Sequence, residues 1–290
     1  MSTYFDKVTI IGVGLIGGSL GLGLKAKHMC GKVVGIGRSP TSVEKGLRMG
    51  AIDEAGRELT EAAKGADLIL ICTPVGSVAS IVEQMESSLK EGCFITDVGS
   101  TKGSIVRAVE ELARVGARFV GSHPLAGSEK KGVAHASASL FEGATVFLTP
   151  TARTTPAVAE TIKEMWGCLG GNVVELTPSA HDRILARTSH LPHIMAALLV
   201  SGLNALDKGC NHLVGKGFLD TTRIASSDPE MWADICLANS QEIREALAAL
   251  GTEMEQFDRY LSAHDHDEVF AFFNVAKALR DSLNRNKPNE

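Results

Sequence analysis

Two polar residues stand directly after apolar segments in the first half of the chain, where they could handle a proton. His123 follows the apolar segment 118–121 and is held by Pro124, and Ser100 follows the segment that ends at Asp97. Imidazole titrates near neutrality, so His123 can accept a hydroxyl proton while hydride leaves the same carbon atom. Ser100 could orient that hydroxyl group. A histidine with a purely structural role is the alternative interpretation.

A second group of polar side chains lies in the C-terminal half of the chain. His190 and His193 could share a helical face and bind a metal ion, but no third ligand stands at a suitable spacing and Pro192 disturbs the helical register. The sequence therefore predicts no metal site. Arg223 could hold a carboxylate through two parallel hydrogen bonds, and a surface salt bridge is the equally open alternative. The His-Asp tract 264–267 is interpreted as a solvated helix boundary.

A glycine-rich turn near the N-terminus predicts a bound dinucleotide. The apolar, β-branched run 8–11 indicates a buried strand, and it is followed by G-x-G-x-x-G and an apolar segment with helical spacing. In this context the first glycine permits a tight turn, the second lets the backbone approach a pyrophosphate, and the third lets helix and strand pack closely. The helix N-terminus offers free N–H groups to the phosphates. The predicted cofactor-binding residues of this turn are Gly12, Gly14, Leu15, Ile16 and Gly17.

The corner after the second predicted strand bears on the choice between NAD and NADP. Roughly 20 positions after the last glycine, an acidic residue would accept hydrogen bonds from the ribose hydroxyl groups of NAD. This chain has Arg38 and Ser39 there. Because arginine offers a fork of donors to a 2′-phosphate, we predict NADP, with NAD held by backbone contacts as the alternative. The loop Thr73-Pro74-Val75 follows the third predicted strand and is expected to line the same crevice.

Strand-like and helical segments alternate through residues 1–176 and must position these side chains. The alternation predicts an α/β fold with an N-terminal, doubly wound, Rossmann-type parallel sheet, in which ligands bind beyond the carboxyl ends of the strands. Residues 177–290 show only helical periodicity, which predicts an all-α C-terminal domain. A helix capped by Asp228 is expected to run to about Leu261, and its apolar residues from Ile243 onward alternate at spacings of four and three. That stripe predicts packing against another long helix, in this chain or in a second subunit.

Length and composition are those of an ordinary globular protein. The chain has 290 residues, of which 44% are hydrophobic and 22% charged, and its net charge of −5 gives no support to nucleic-acid binding. No apolar run is long enough to span a membrane, and no signal-peptide core follows Met1. The six cysteines are scattered without a C-x-x-C pair, which favours reduced thiols. We therefore expect a cytoplasmic protein that contacts neither membrane nor nucleic acid.

Six short motifs occur in order along the chain. They are Gly12-x-Gly14-Leu15-Ile16-Gly17-Gly18-Ser19, Asp97-Val98-Gly99-Ser100-x-Lys102, His123-Pro124-x-Ala126-Gly127, Ser189-His190-Leu191-Pro192-His193, Arg223-Ile224-Ala225 and Asp228-Pro229-x-Met231-Trp232. Together they resemble the prephenate/arogenate dehydrogenases of tyrosine biosynthesis. The similarity extends from Val8 to about Phe273, and the motifs of the helical half are more specific than the glycine turn.

The resemblance implies an NAD(P)-dependent oxidative decarboxylation of prephenate to 4-hydroxyphenylpyruvate, or of its amino analogue arogenate to tyrosine. Hydride would leave the ring carbon that bears the 4-hydroxyl group, and loss of the opposite carboxylate would make the ring aromatic. By the same resemblance, His123 accepts a hydrogen bond or proton from the 4-hydroxyl group and Ser100 orients it. His193 lies at the substrate and Arg223 binds a substrate carboxylate. The resemblance also implies a homodimer formed through the helical domain, which agrees with the apolar stripe that begins at Ile243.

The residues that follow His123 could distinguish the two substrates. Prephenate carries a keto group where arogenate carries an amino group, and Ser128 and Glu129 are predicted to contact the substrate. Glu129 would attract an ammonium group, whereas Lys130 or Lys131 would favour a carboxylate. We expect prephenate, with arogenate as the alternative.

Two other classes of protein remain as alternatives. One is a dehydrogenase of similar two-domain plan that acts on a 3-hydroxy acid or an imine. Such enzymes commonly use a lysine in the helical domain, whereas Lys208 and Lys216 lie in Gly- and Asn-rich surroundings. The other is a non-catalytic dinucleotide sensor, which would not need the polar residues of both halves together.

Overall fold

The structure, a computed structural model, describes residues 4–112, 115–126, 131–205 and 213–285. Its N-terminal part is an eight-stranded sheet with connecting helices. The strands are β1 (Phe5–Ile11), β2 (Cys30–Ile36), β3 (Glu54–Ala55), β4 (Leu68–Ile71), β5 (Phe94–Asp97), β6 (Phe119–Pro124), β7 (Thr145–Thr149) and β8 (Asn172–Glu175). The helices between them are α1 (Leu15–Ala26), α2 (Pro40–Arg48), α3 (Leu59–Ala63), α4 (Val78–Met85), α5 (Gly103–Glu110) and α6 (Pro156–Cys168).

The strand order is β3-β2-β1-β4-β5-β6-β7-β8, so the chain reverses its direction of winding between β1 and β4. Ligands of doubly wound sheets bind at that reversal, beyond the carboxyl ends of the strands. The predicted doubly wound α/β sheet is confirmed, with one correction at its edge. β7 runs antiparallel to β6, and β8 follows β7. The connection from β6 to β7 lacks the usual crossover element: its described part holds the short 3₁₀ turn Val133–His135 and no α-helix, whereas parallel neighbours are usually joined through a helix.

Both faces of the sheet are buried, which explains the continuous apolar character of its central strands. In β4, Leu68 and Leu70 belong to one apolar core, and Ile69 and Ile71 belong to the core on the opposite face. Alternate residues of a strand point to opposite faces, so β4, which is covered on both sides, is apolar at every position. This arrangement leaves the strand ends and the loops beyond them as the places where polar side chains can gather.

The end of β6 differs from the sequence-based expectation in a way that concerns the candidate base. His123 was expected in a loop after the strand, but β6 continues to Pro124, and His123 pairs with Phe147 of β7. Pairing with an antiparallel neighbour extends β6 beyond the apolar segment that the sequence shows. His123 therefore stands on a hydrogen-bonded strand rather than in a loop.

The helical half begins with two helices joined by one π-helical turn. It contains α7 (Pro178–Leu185), α8 (Leu191–Gly202), α9 (Lys216–Thr222), α10 (Pro229–Ala238), α11 (Ser240–Ser262) and α12 (His266–Arg285). The turn between α7 and α8 spans Ala186–His190. Pro192 lies in the first turn of α8, where its missing N–H is not needed, so the expected kink or break takes the form of this π turn.

The long helix expected from Asp228 to about Leu261 is two helices. α10 ends at Ala238 and α11 begins at Ser240, with Asn239 between them in a non-helical conformation, φ −115° and ψ 30°. The Asn239 side chain is buried and donates a hydrogen bond to the backbone carbonyl oxygen of Asp182. This contact gives the interruption a physical reason that the apolar spacing does not contain.

The chain divides into two compact units, Met1–Ser240 and Gln241–Glu290. In the second unit the ring of Phe257 packs against those of Phe272 and Phe273, at centroid distances of 4.8 and 5.9 Å. Several large apolar side chains of this unit are exposed: Met254, Leu261, Phe270, Phe273, Val275, Leu279 and Leu283. Within the described ranges, no helix combines the length and the apolar character that crossing a bilayer requires.

Candidate active site

The glycine turn between β1 and α1 has the geometry of a nucleotide cradle. Gly12 has φ +103°, and a Cβ atom there would stand 2.5 Å from the carbonyl oxygen of Cys72, so only glycine fits. A Cβ atom on Gly17 would stand 2.1 Å from the carbonyl oxygen of Gly12. Around Gly14, in contrast, the described residues leave the position of a Cβ atom open. The turn is therefore packed on its protein side and free where a pyrophosphate would approach.

The first turn of α1 supplies donors to that open space. Gly14 is its N-cap and offers no side-chain cap, and no acidic residue lies in the first turn. The backbone N–H groups of Leu15 and Ile16 have no acceptor within the helix, and the positive end of the helix dipole lies beside them. An anionic diphosphate fits these donors, so the five predicted residues of the turn suit the cofactor.

Arg38 and Ser39 lie after β2 and differ in what they can offer to the cofactor. The Ser39 hydroxyl oxygen caps α2 by accepting a hydrogen bond from the backbone N–H of Ser42, at 3.3 Å. The Arg38 side chain is exposed and has no ionic or hydrogen-bonding partner among the described residues. The carboxylate of Asp53 is already engaged, because it accepts a hydrogen bond from the backbone N–H of Val33, in the middle of β2, at 2.8 Å and pairs with the ammonium group of Lys25.

The loop after β4 is fixed by its own hydrogen bonds. The hydroxyl group of Ser77 donates to the carbonyl oxygen of Pro74 at 2.8 Å and to the hydroxyl oxygen of Thr73 at 2.9 Å. Val75 begins the short 3₁₀ turn that leads into α4. Since β4 and β1 flank the reversal point of the sheet, Thr73, Pro74 and Val75 stand at the same edge as the glycine turn.

His123 belongs to a chain of hydrogen bonds that the sequence did not indicate. Its Nδ1 atom is 2.9 Å from Nε2 of His181, and Nδ1 of His181 is 2.8 Å from Oδ1 of Asp182. His181 is fully buried, and His123 is only 8% exposed. Around His181 and Asp182 the sequence indicated only helical periodicity, and nothing in it pointed to β6. These two residues are the part of the site that sequence reasoning missed.

Asp182 also holds the loop that carries Ser100. Its carboxylate accepts hydrogen bonds from the backbone N–H groups of Lys102, at 2.8 Å, and Gly103, at 2.7 Å. Gly103 is the first residue of α5, so the carboxylate satisfies donors at a helix N-terminus. Ser100 is half-buried, and its hydroxyl group has no partner within the described part of the chain. It is therefore available to a ligand.

The loop of Ser100 rests on a buried ion pair. The ammonium group of Lys102 contacts the carboxylate of Asp97, and both side chains are fully buried. The Asp97 carboxylate also accepts a hydrogen bond from the backbone N–H of Gly99, at 2.8 Å. The pair thus fixes the chain on both sides of Ser100.

The two histidines of the 189–193 motif have separate surroundings. His190 is buried, and its Nδ1 atom lies 3.1 Å from the side-chain nitrogen of Asn239. His193 is half-buried and stacks on the indole ring of Trp232, with 3.8 Å between ring centroids and 25° between ring planes. Its Nδ1 atom is 2.9 Å from the carbonyl oxygen of Ser189. Among the described residues, no three His, Cys, Asp or Glu side chains form a cluster that could hold a metal ion.

Arg223 stands at the start of a 3₁₀ turn after α9, near His193. Its guanidinium group is exposed and has no partner among the residues that the structure describes, so it is free to bind a carboxylate. Ser128 and Glu129 lie outside the described residues. Lys131, just beyond them, forms an ion pair with Asp228, the N-cap of α10.

Burial keeps the histidines of the site neutral. It lowers the pKa of His123 well below its usual value, and His181 and the Lys102 ammonium lower that pKa further. Burial also lowers the pKa of His181, although its hydrogen bond to Asp182 opposes the change, and it lowers the pKa of His190 to about 4. For Asp182, hydrogen bonds from His181 and the α5 backbone outweigh the effect of burial and lower the carboxyl pKa. The site therefore pairs neutral imidazoles with an ionised carboxylate.

A dinucleotide cradle at the reversal point of the sheet, with a neutral imidazole on a strand of the same edge, defines an NAD(P)-dependent dehydrogenase. The family model described as the nucleotide-binding domain of prephenate dehydrogenase matches residues 20–175, and the model of its dimerization domain matches residues 177–275. The chain belongs to the prephenate dehydrogenase family.

Individual relatives agree with this assignment. The chain is 36% identical to a prephenate dehydrogenase of Bacillus subtilis, over 98% of this chain and 77% of that protein. It is 30% identical to a cyclohexadienyl dehydrogenase of Zymomonas mobilis, over 97% of both chains. The fold is similar to the crystal structure of prephenate dehydrogenase from Aquifex aeolicus in complex with hydroxyphenyl propionate and NAD+, with a TM-score of 0.91 and 32% identity over 98% of this chain and 99% of that chain.

Proposed function

We propose that the chain oxidises and decarboxylates prephenate to 4-hydroxyphenylpyruvate, with NADP as the hydride acceptor. The observation that carries this proposal is the neutral His123 on β6, hydrogen-bonded to His181 and standing at the strand edge that Ser100 shares. Membership of the family supports the reaction class.

When bound, the nicotinamide ring supplies the hydride acceptor. His123 accepts the 4-hydroxyl proton as hydride leaves the ring carbon, and Ser100 orients the hydroxyl group toward the imidazole. Loss of the carboxylate at the opposite ring position as CO2 makes the ring aromatic, and His123 returns the proton to the phenolic oxygen. The proton that the substrate loses is thus returned to the product within the site.

The anionic groups of the substrate are bound from the helical half. The guanidinium group of Arg223, which has no partner among the described residues, can hold a carboxylate through two parallel hydrogen bonds. His193 stands beside it as a neutral imidazole stacked on Trp232 and contacts the substrate there. Ser128 and Glu129 contact the substrate side chain, and arogenate is the alternative substrate because Glu129 would attract its ammonium group.

NADP is favoured over NAD by the surroundings of Arg38. Its guanidinium has no partner within the described residues, and the corner 37–39 at the carboxyl end of β2 contains no carboxylate to accept the ribose hydroxyl groups. Ser39 lies next to it as a second donor. A 2′-phosphate would occupy this corner with a charge-assisted hydrogen bond.

The protein is proposed to act as a homodimer with two domains. Residues 1–176 bind the dinucleotide, and residues 177–290 bind the substrate and form the dimer. Exposed apolar side chains on α11 and α12, Met254 and Phe270 among them, suit burial against a second copy. The described cysteines are free thiols, which supports a cytoplasmic location.

A spectrophotometric assay of the purified full chain tests the proposal. Prephenate and arogenate are each combined with NAD and NADP, and reduced nicotinamide is followed by its absorbance. The expected result is turnover with prephenate and NADP at the highest kcat/KM of the four combinations. Absence of activity in all four would overturn the reaction. Higher kcat/KM with NAD would overturn only the cofactor assignment, and higher kcat/KM with arogenate only the substrate assignment.

A further inference from the structure

We propose that His181 and Asp182 are positioning residues that hold His123 in the tautomer whose Nε2 atom accepts the substrate proton. The same Asp182 carboxylate fixes the loop of Ser100, so a single side chain sets the positions of both groups that meet the substrate hydroxyl. This inference rests on the proposed function, but the tautomer of His123 that it requires is a property of the free protein and can be measured without substrate.

The tautomer follows from the order of donors and acceptors. Asp182 is ionised and can only accept, so Nδ1 of His181 carries the proton in their 2.8 Å contact. His181 is neutral, and its Nε2 is therefore an acceptor. At 2.9 Å, Nδ1 of His123 must donate to it. His123 is neutral as well, which leaves its Nε2 atom unprotonated and able to take a proton.

The carboxylate of Asp182 has its other hydrogen bonds on the loop of Ser100. It accepts from the backbone N–H groups of Lys102 and Gly103, and the backbone carbonyl of Asp182 accepts from Asn239. The donors to the carboxylate are thus two backbone N–H groups and the imidazole of His181, all of them fixed in the fold. A carboxylate with this many fixed donors stays ionised and in one orientation, which is what an orienting group requires.

The charged and titratable groups around the two imidazoles favour the same state. His123 is faced by His181, His190 and Lys102, none of which stabilises a positive charge on it. Asp182 and Asp97 favour a positive charge on His181, whereas Lys102 disfavours it. Of the charged groups among these, only Asp182 is hydrogen-bonded to an imidazole ring, and that bond determines which nitrogen of His181 carries the proton.

Nitrogen-15 NMR of the free protein tests the tautomer without any substrate. Unprotonated and protonated imidazole nitrogens differ widely in chemical shift, so each ring reports its own state. The expected spectrum at pH 7 shows His123 and His181 each protonated at Nδ1 and unprotonated at Nε2. Protonation of Nε2 of His123 would overturn the inference. This outcome is independent of whether prephenate is the substrate.

Asp182→Asn tests the effect on turnover. Asparagine has one acceptor oxygen, so its amide nitrogen takes the place of either Oδ1 or Oδ2. In the place of Oδ1 it donates to Nδ1 of His181, which reverses both tautomers and leaves Nε2 of His123 protonated. In the place of Oδ2 it faces the backbone N–H of Gly103 and displaces the loop of Ser100. We expect kcat to fall roughly 10³- to 10⁴-fold, as when a catalytic histidine is forced into the wrong tautomer, with the Kd for NADP within about twofold. The NMR spectrum of the variant is expected to show the reversed protonation. A kcat within about threefold of the parent would overturn the inference.

A matched control is available in a second His-Asp neighbour pair. His266 and Asp267 are adjacent like His181 and Asp182, but both are exposed. Asp267→Asn is expected to leave kcat and the histidine tautomers unchanged.

Two variants of His181 keep the inference testable if Asp182→Asn does not fold. His181→Gln can present an amide oxygen to Nδ1 of His123, whereas His181→Leu has the volume but no acceptor. We expect the glutamine variant to keep kcat within roughly tenfold of the parent and the leucine variant to lose roughly 10²-fold or more, with little change in KM. Equal loss in both variants would show that His181 only fills space, and would overturn its role.

Discussion

The ammonium group of Lys102 contacts the carboxylate of Asp97, and neither side chain is exposed to solvent. A buried ion pair is costly to form but more costly to break, because removal of one partner leaves an uncompensated charge. Asp97 and Lys102 precede and follow Ser100 in the chain. The unfavourable burial of their charges therefore falls on the loop of Ser100 rather than on a distant part of the core.

Lys102→Met is therefore expected to lower the free energy of unfolding by about 3–5 kcal/mol, measured by urea denaturation. The control is Lys277→Met, which breaks the exposed pair with Asp281 one turn along α12. That change is expected to cost less than about 0.5 kcal/mol. Equal effects of the two substitutions would contradict the burial of the Lys102 charge.

His123→Asn is expected to reduce kcat roughly 10²- to 10⁴-fold, because the amide cannot accept the hydroxyl proton. The Kd for NADP, measured by fluorescence titration, should stay unchanged, since His123 is on β6 and the cradle follows β1. The exposed His135 offers a control, and His135→Asn is expected to retain parental turnover. Unchanged turnover in the His123 variant would show that His123 is not the proton acceptor.

Arg38→Asp is expected to reverse the preference for the cofactor. Loss of a charge-assisted contact with the 2′-phosphate, together with repulsion by the new carboxylate, should raise the KM for NADP about 10- to 100-fold. The KM for NAD should change little or decrease, because the carboxylate can accept the ribose hydroxyl groups. Arg48→Asp, at the far end of α2, is the control. Equal KM values for NADP before and after the Arg38 change would be evidence against the 2′-phosphate contact.

Arg223→Gln is expected to raise the KM for prephenate about 10- to 100-fold with a smaller change in kcat, since a carboxylate contact made before and during the reaction contributes to binding in both states. Steady-state kinetics at saturating NADP measures the two parameters separately. The exposed Arg153 gives the matched substitution Arg153→Gln, which should leave both unchanged. A normal KM in the Arg223 variant would favour the alternative of a surface salt bridge.

The stability of the protein is expected to decrease as the pH falls from about 6.5 to 4. The pKa of His190 is about 4 in the folded protein and about 6.5 in an unfolded chain, so the unfolded state binds the proton first. The stabilisation is complete above pH 6.5, and about 3 kcal/mol of it is lost by pH 4. Buried His123 and His181 act in the same direction.

Urea denaturation at several pH values measures this loss. His190→Gln can keep a polar contact with Asn239 but cannot titrate, so its free energy of unfolding should depend less steeply on pH between 6.5 and 5. An identical slope in the variant and the parent would show that His190 does not take up a proton on unfolding.

Local signals predicted the strands, the glycine turn and most helices, because apolar spacing and helix caps are properties of neighbouring residues. β7 could not be oriented from the sequence, since its direction depends on a connection without a crossover helix. His181 and Asp182 were missed for a related reason. Their partners are 58 and 80 residues away, in β6 and at the start of α5, and no spacing within α7 reports such contacts. Asn239 likewise ends a helix through a contact with a distant backbone carbonyl.

His123, the proposed proton acceptor, lies on a paired strand, whereas Ser128 and Glu129, which are proposed to contact the substrate, follow that strand in the chain. β6 and β7 hold the backbone of His123 in their ladder, which continues to a hydrogen bond from the N–H of Leu125 to the carbonyl oxygen of Thr145 at 2.8 Å. Insertions and exchanges after Leu125 would therefore leave the backbone of His123 in place. Under the proposed roles of Ser128 and Glu129, exchanges at these two positions would change which ring compound is accepted, while His123 is inherited with the sheet.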